Sequence, residues 1–524
     1  MEKDTHREQV KGVSGKDPAL YHKTIEELIE VAVEFHGNGK TRRAENIYRT
    51  VLECVPENIQ VNFNLATICH SNGYVEEAIE HYNRVLQHDP DNYQVLFYLA
   101  GAYRDQGALD AAADTYLKAI DSEPDHADAY YNLGIVHQHR NESHQARKCY
   151  LKTVALDDTY APAFYNLGAI SYENGNYDES IGFYERAQVL APDDIDTCYN
   201  LALSHTRKGN LIEAVKLYSY AIELSPDDGD LHNSLGQLWK QLKNYDRAES
   251  CFREAVKLKP DYGAAYTNLA VILHTIGNVD EAIECYSKAI EFGYQTEIAD
   301  HMLAALIGSN RTSMPENYVR DLFDSYADGF DDSLVNELEY NTPLSLMKTV
   351  MCHAGEKCRF ESVLDLGCGT GLAGETFRGL CHRLSGVDIS SKMLAKAEGK
   401  GHYDTLHCSD LIDFLAATEE RYNLIIAADV LNYIGALGPL FHHIGKRLDD
   451  KGLFAFSVEK PAGDGGCCLQ QSGRYAHSRD FVEKICCESG LEVRECLETD
   501  IRKDRGDWIK GQIFVLRKSF PDFF

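Results

Sequence analysis

Val363-Leu364-Asp365-Leu366-Gly367-Cys368-Gly369-Thr370-Gly371 decides the fold of the second half of the chain. An apolar run leads into three glycines at alternate positions. Such a loop is flat, and its backbone can lie directly against a ligand. The spacing is not the GxGxxG of dinucleotide-binding loops. Asp365, two residues before the first glycine, places a carboxylate where a cationic group can be held. Seventeen residues beyond Gly371, Asp388 ends the next predicted strand, where a carboxylate can accept both hydroxyls of a ribose. A third strand ends at Cys408, before Ser409-Asp410-Leu411, where an acid can take an adenine amino group.

Glycine loop, ribose acid and adenine acid together ask for an adenosine-containing ligand, and the spacing prefers S-adenosylmethionine to NAD. Outward from the loop, short apolar runs alternate with helical stretches. Strands are expected at 361–366, 383–388, 403–408, 422–428, 452–459, 491–498 and 510–517, with helices between the first five. That alternation predicts a doubly wound, Rossmann-like α/β domain.

VLDLGCGTG, Asp388 and the later AADVLNYIG (427–435) together resemble class I, seven-stranded methyltransferases over roughly 318–524. The resemblance implies contacts to S-adenosylmethionine from Asp365, Gly367, Cys368, Gly369, Gly371, Asp388, Ile389, Asp410, Leu411 and Asp429. Asp365 would hold the methionine amino group through water, Asp388 the ribose and Asp410 the adenine N6, with Asp429 at the mouth facing the methyl group. For Asp410 the bland alternative is a helix N-cap before LIDFL. Upstream, FDSYADGFDDSL (323–334) resembles the segment that small-molecule members fold over the cofactor, so Tyr326 and Phe330 are candidate pocket walls. A helix packed on the sheet edge is the alternative. The run YxxxLFDSYADGFD, AADVLNYIG and IRKDRGDWIKGQIFVLRK together resemble predicted methyltransferases that carry tetratricopeptide repeats. Their catalytic domain is akin to trans-aconitate and ubiquinone-pathway enzymes.

The first half is a repeat array. In a frame of 34 residues from Ile25, position 8 is always Ala or Gly (Ala32 to Ala270). Position 20 is Ala or Ser (Ala44 to Ala282), and position 24 is Tyr or Phe (Tyr48 to Tyr286). Small residues let two antiparallel helices touch, and the aromatic is expected to plug the space between successive repeats. Proline at position 32 in most repeats ends the second helix. Glycine at position 15 supplies a left-handed residue after the first, with Asn141 and Lys243 in its place in two repeats. Eight repeats fill 25–296 and resemble the tetratricopeptide family. Such repeats stack into an all-α solenoid with a concave groove. Position 6 carries Asn64, Asn132, Asn166, Asn200 and Asn268. A row of amides there could grip a peptide main chain, and it resembles the asparagine ladder of O-linked N-acetylglucosamine transferases; solvated or locally capping amides are the bland alternative. A glycosyltransferase itself is excluded, because 212 residues cannot hold its two nucleotide-binding halves.

The expected organisation is a polar segment at 1–24, repeats at 25–296, a capping helix and linker at 297–312 and the methyltransferase domain at 313–524. With 52 Lys+Arg against 82 Asp+Glu, the net charge of −30 argues against nucleic acid or an anionic membrane as partner. Residues 1–312 hold 48 acidic and 28 basic residues, so a groove there favours neutral or basic protein segments, unless the acidity only keeps the solenoid soluble. No run reaches 18 apolar residues and MEKDTHREQV has no apolar signal core, so a cytoplasmic chain with reduced thiols is expected from its 16 cysteines. Their spacing gives no metal site.

Ala428-Asp429-Val430-Leu431-Asn432 stands where enzymes acting on planar nitrogens carry NPPY, and there is no Pro-Cys nucleophile. A carboxylate or hydroxyl oxygen, or an activated carbon, remains open as acceptor, on a small molecule or a protein. A hydroxyl would need a base, for which Asp429, Tyr433, Tyr475 and His477 are candidates. Arg474, Arg479 or Arg502 could grip an acidic acceptor. A tetratricopeptide scaffold with a catalytically silent cofactor domain is the alternative function.

Overall fold

A computed structural model describes residues 18–519, except 310, 312, 328, 356–357, 464–465 and 505. Of the polar segment expected at 1–24, residues 1–17 lie outside the described residues, and the chain is already helical from Pro18. Paired helices follow from Pro18–Gly37 to Val279–Glu291. Position 15 of every repeat is left-handed, including Asn141 (φ 59°) and Lys243 (φ 57°). The position-24 ring is buried in all eight repeats. It packs against its own repeat, where a Cβ on Gly134 would lie 2.5 Å from the Tyr150 ring and one on Gly168 2.9 Å from Tyr184. It also reaches the next: Asn64 donates to the Tyr48 hydroxyl, and the Tyr82 ring stacks on Tyr98 at 6.4 Å.

The second half is one sheet. Strands β1 (Phe360–Leu366), β2 (Cys381–Asp388), β3 (Thr405–Cys408), β4 (Tyr422–Ala427) and β5 (Leu448–Glu459) run parallel in the order β3-β2-β1-β4-β5. Two short strands, β6 (Cys467–Leu469) and β7 (Tyr475–His477), were not visible as apolar runs. They form a hairpin joined to β5 by the single parallel pair Glu459↔Ala476. β8 (Leu491–Asp504) and β9 (Asp507–Lys518) form an antiparallel pair, and β9 joins it to the sheet antiparallel to β5. Each face buries its own apolar layer. Leu364, Ile425 and Phe454 pack beneath the helices Leu437–Arg447 and Arg479–Glu488. Val363, Leu424 and Leu453 pack with Leu346, Val350 and Phe377 on the other face. The chain order reverses between β1 and β4, so the crevice for a ligand opens at their carboxyl ends.

Two compact units meet at Lys243/Asn244, inside the repeats, and the expected 312/313 boundary falls within the second unit. There the helix Thr296–Ile307, read from sequence as a solenoid cap, packs on the last repeat helix Val279–Glu291 and also on the sheet domain. Ala304 and Ala305 cluster with Leu469 and Tyr475 of the β6–β7 hairpin. His301, kept neutral by burial, has Nε2 2.8 Å from the Gly473 carbonyl. Ser313 bridges Ile434, and Met314 N donates to the Tyr433 carbonyl at 3.3 Å. A fragment starting at Ser313 uncovers Leu469 and Tyr475, each worth about 1.5–3 kcal/mol of burial. It should melt roughly 6–24 °C below a fragment starting at Asn244. Equal melting temperatures would mean that the helix adds nothing.

Candidate functional site

The site grows from the turn after β1. Gly367, Gly369 and Gly371 have φ of 69°, 52° and 89°. A Cβ on Gly367 would stand 2.4 Å from Val430, and one on Gly371 3.1 Å from the Tyr403 ring. Gly369 differs: a Cβ there meets nothing within 4 Å, so its backbone faces open space. Cys368 is buried and its N–H donates to the Val387 carbonyl at 3.0 Å, tying the loop to the end of β2.

Asp388 ends β2 and is nearly buried. Its Oδ2 accepts the Gly369 N–H at 2.8 Å and its Oδ1 the Ser390 N–H at 2.9 Å. Burial raises its pKa, against the pull of those amides. Ile389 follows directly, with its carbonyl 3.7 Å from Cys408 Sγ. Asp365 is fully buried. Its Oδ2 accepts the Tyr403 hydroxyl at 2.6 Å, while Oδ1 has no partner. Burial pushes its pKa up to about 7. Asp410 takes the capping role weighed above, its Oδ1 accepting from Ile412 N (2.7 Å) and Asp413 N (3.2 Å), with Leu411 buried beside it.

Asp429, after β4, adopts φ 61°, a left-handed conformation costly for a side-chain-bearing residue. It does not stand free at the mouth. Its N–H donates to Ser457 Oγ at 2.8 Å, Asn432 Nδ2 donates to Oδ1 at 3.2 Å, and Arg502 donates to Oδ2. Arg502, 4% exposed, also donates to Glu459, 1% exposed. Burial would lower the guanidinium pKa, yet Asp429 and Glu459 outweigh it and hold the group ionised. Arg474 joins through Glu459 (3.1 Å) and Asp504 (2.7 Å). Arg479 is paired with Glu483 on a helix surface. The arginines considered for an acidic acceptor are thus engaged with the protein's own carboxylates.

Of the base candidates, Tyr433 sits against Phe323 (5.3 Å between centroids), its pKa raised to about 12 by burial. His477 is fully buried, faces the backbone of Ile434 and Gly435 without a well-aligned hydrogen bond, and is lowered to about 4 by burial. It stacks on Phe481 at 5.8 Å, which is a packing role. Tyr475 is buried beneath Thr296–Ile307.

The upstream segment lies over the cofactor loop. Asp324 accepts the Ser390 hydroxyl, and Asp331 accepts the Thr370 hydroxyl and pairs with Lys400. Tyr326 does not wall a pocket; it is 57% exposed because it ends the helix Glu316–Tyr326 on the outer side. Phe323 takes the inner position, between Phe330 (6.0 Å) and Tyr433. Sequence reading missed Tyr403, the Arg502 cluster and the two aspartates; only the extra glycines around Tyr403 carried a local signal.

In the repeats, the asparagines are half-buried and their amino groups are engaged. Asn64 donates to the Tyr48 hydroxyl (3.2 Å), Asn166 to Tyr131 (3.4 Å) and Asn200 to Tyr165 (3.0 Å). Asn132 donates to the Asp128 carbonyl and accepts from Arg104, both at 2.8 Å. A tyrosine of the preceding repeat therefore orients Asn166 and Asn200, leaving the carbonyl oxygen as the group to offer. Asn268, in the second unit, is half-buried as well. Among the described residues no disulfide joins the cysteines and no cluster is placed to hold a metal ion.

Residues 338–499 match a methyltransferase-domain family model. Residues 59–92 match the tetratricopeptide repeat, and 89–306 the C-terminal domain of cilia- and flagella-associated protein 70. The chain is 26% identical over 173 residues to the probable S-adenosylmethionine-dependent methyltransferase CRG1 of Saccharomyces cerevisiae, covering 31% of this chain and 58% of that one. It is 31% identical over 117 residues to a ubiquinone biosynthesis O-methyltransferase of Nitrobacter winogradskyi, covering 21% and 41%. The chain thus spans about half the length of these curated relatives. Among solved structures, MamA is 29% identical over 33% of this chain and 93% of its own (TM-score 0.31). YrrB, described as a TPR protein with an unusual peptide-binding site, is 25% identical over 36% and 97% (TM-score 0.33).

The chain carries tetratricopeptide repeats joined to an α/β methyltransferase domain. The cofactor that this domain and its relatives imply is S-adenosylmethionine. The residues fit it: open space above Gly369, and a buried carboxylate oxygen of Asp365 that lacks a donor.

Proposed function

We propose that this protein transfers a methyl group from S-adenosylmethionine to an oxygen or an activated carbon, and that its repeats receive a protein segment. The observation that carries the first part is the Asp388 carboxylate, fixed by the amides of Gly369 and Ser390 beside an unobstructed glycine turn. The bound cofactor supplies an activated methyl group, so alignment can provide most of the acceleration. The chain's own residues then bind, orient and exclude water. Asp365 holds the amino end of the cofactor and Asp388 its ribose, Asp410 and Leu411 lie at the adenine end, and the Asp324 and Asp331 contacts keep the upstream segment over it.

The acceptor is neutral or cationic in this reading. Asp429, Glu459 and Asp504 outnumber Arg474 and Arg502 at the ends of β4 and β5, and an anionic acceptor would add to that excess. This narrows the oxygen acceptors to hydroxyls, for which Tyr433 is kept as a candidate base. The relatives' printed activities, one an O-methyltransferase of ubiquinone biosynthesis, favour a small molecule. The second reading, a silent scaffold, gains from the engagement of Asp429. Methyl-labelled S-adenosylmethionine incubated with the chain and fractionated lysate separates them. Label in a small-molecule or protein fraction supports the enzyme; cofactor binding without transfer in any fraction supports the scaffold.

For the repeats, the carboxamides of Asn64, Asn166 and Asn200, each oriented through its amino group by a tyrosine hydroxyl, support a main-chain ligand; the cytoplasm is the proposed setting. Replacing Asn132, Asn166 and Asn200 by Ala removes Asn–Tyr and Asn–Arg contacts as well as the row. Each hydrogen bond is worth about 0.5–1.5 kcal/mol, so the triple variant should lose roughly ten- to a thousand-fold in partner affinity. Retention of every captured partner would show that the ligand uses another surface.

A further inference from the structure

Tyr403 lies between β2 and β3, outside the glycine loop, yet three glycines on different elements make room for it. A Cβ on Gly374 would stand 2.5 Å from its ring, one on Gly386 3.0 Å and one on Gly371 3.1 Å. Side chains at these positions would displace the ring, so the backbone fixes it from three sides. The ring's hydroxyl meets Asp365 Oδ2 at 2.6 Å. The other oxygen, Oδ1, is fully buried without a donor, which is costly for a carboxylate. We infer that Tyr403 is a positioning residue for the cofactor: it occupies one oxygen of Asp365 and turns the other into the acceptor for the amino end of S-adenosylmethionine. This rests on the cofactor assignment and adds a residue and a division of labour to it.

The arrangement has a pH signature. Burial raises the Asp365 carboxyl to about 7, the Tyr403 hydrogen bond pulls it down and Asp388 pushes it up. Cys368 and Tyr340 also face it, and burial keeps both neutral. An ammonium group needs the ionised carboxylate. Affinity for S-adenosylmethionine should therefore rise as pH climbs through about 7 and level off above. Removing the hydroxyl takes away what lowers the pKa, so the rise should move to higher pH.

The test is calorimetric titration of the full chain, from pH 6 to 9, with S-adenosylmethionine and with 5′-methylthioadenosine, which lacks the amino acid end. Tyr403→Phe keeps the wedge and removes the hydroxyl. Expected is a loss of roughly ten-fold or more in S-adenosylmethionine affinity near pH 7, since a hydrogen bond to a charged group is lost. The midpoint should move upward, and methylthioadenosine affinity should stay unchanged. Asp365→Asn provides the second variant: weak for S-adenosylmethionine at every pH, unchanged for methylthioadenosine. Equal loss for both ligands in the two variants, or no change in affinity and midpoint, overturns the inference. Failure of the wild type to bind either ligand would instead overturn the cofactor assignment.

Discussion

Asp388→Ala should nearly abolish the thermal stabilisation that S-adenosylmethionine gives this protein. At a cofactor concentration of about 100 times the dissociation constant, binding adds about 2.7 kcal/mol, or roughly 5–10 °C for a domain of this size. The substitution removes the acceptor expected for the ribose and also frees the Gly369 and Ser390 amides, so the glycine turn keeps only its backbone ties to Val387 of β2. A hundred-fold weaker affinity leaves a shift of about 1 °C under the same conditions. The variant should also melt lower without cofactor, because two amide hydrogen bonds go with it. Differential scanning measurements with and without ligand separate the two effects. A full cofactor shift in the variant would remove Asp388 from the site.

The largest loss of stability is expected from Arg502→Met. The side chain fits by volume, but Asp429 is left buried without its cation and Glu459 keeps only Arg474. Breaking a buried ion pair by removing one partner costs about 3–5 kcal/mol. The melting temperature of the second unit should drop by roughly 6–20 °C. Adding Asp429→Asn and Glu459→Gln should recover most of it, because the uncompensated charges go too. A drop below about 2 °C, or no recovery in the triple variant, would mean that the cluster is solvated and contributes little.

What the sequence made legible was periodic or local. The position-15 residues declare their left-handed backbone through glycine, and Asn141 and Lys243 adopt the same conformation because the repeat around them does. β1, β2, β4 and β5 show as runs of buried residues because both sheet faces are covered there, whereas β3, largely exposed, shows only through its place in the alternation. β6 and β7, three residues each, are too short for any period to show. Asp365, Asp388 and the glycine turn announce themselves through spacing. Arg502 and Asp429 lie 73 residues apart in sequence, and only the antiparallel β8–β9 ladder brings them together. Asp410 reads equally as cap and ligand from sequence, and the helix amides it meets decide its first oxygen. The contact of the helix Thr296–Ile307 with the β6–β7 hairpin was not legible, because an amphipathic helix shows that it has an apolar face but not what covers it.

The central claim, that the turn at Gly367–Gly371 with Asp388 holds S-adenosylmethionine, is tested most directly by calorimetric titration of the full chain. The account predicts one saturable site per chain for S-adenosylmethionine, absent in Gly369→Val, whose side chain fills the open space above the turn, and no binding of NADH. Binding of NADH with none of S-adenosylmethionine, or an undiminished site in Gly369→Val, would contradict it.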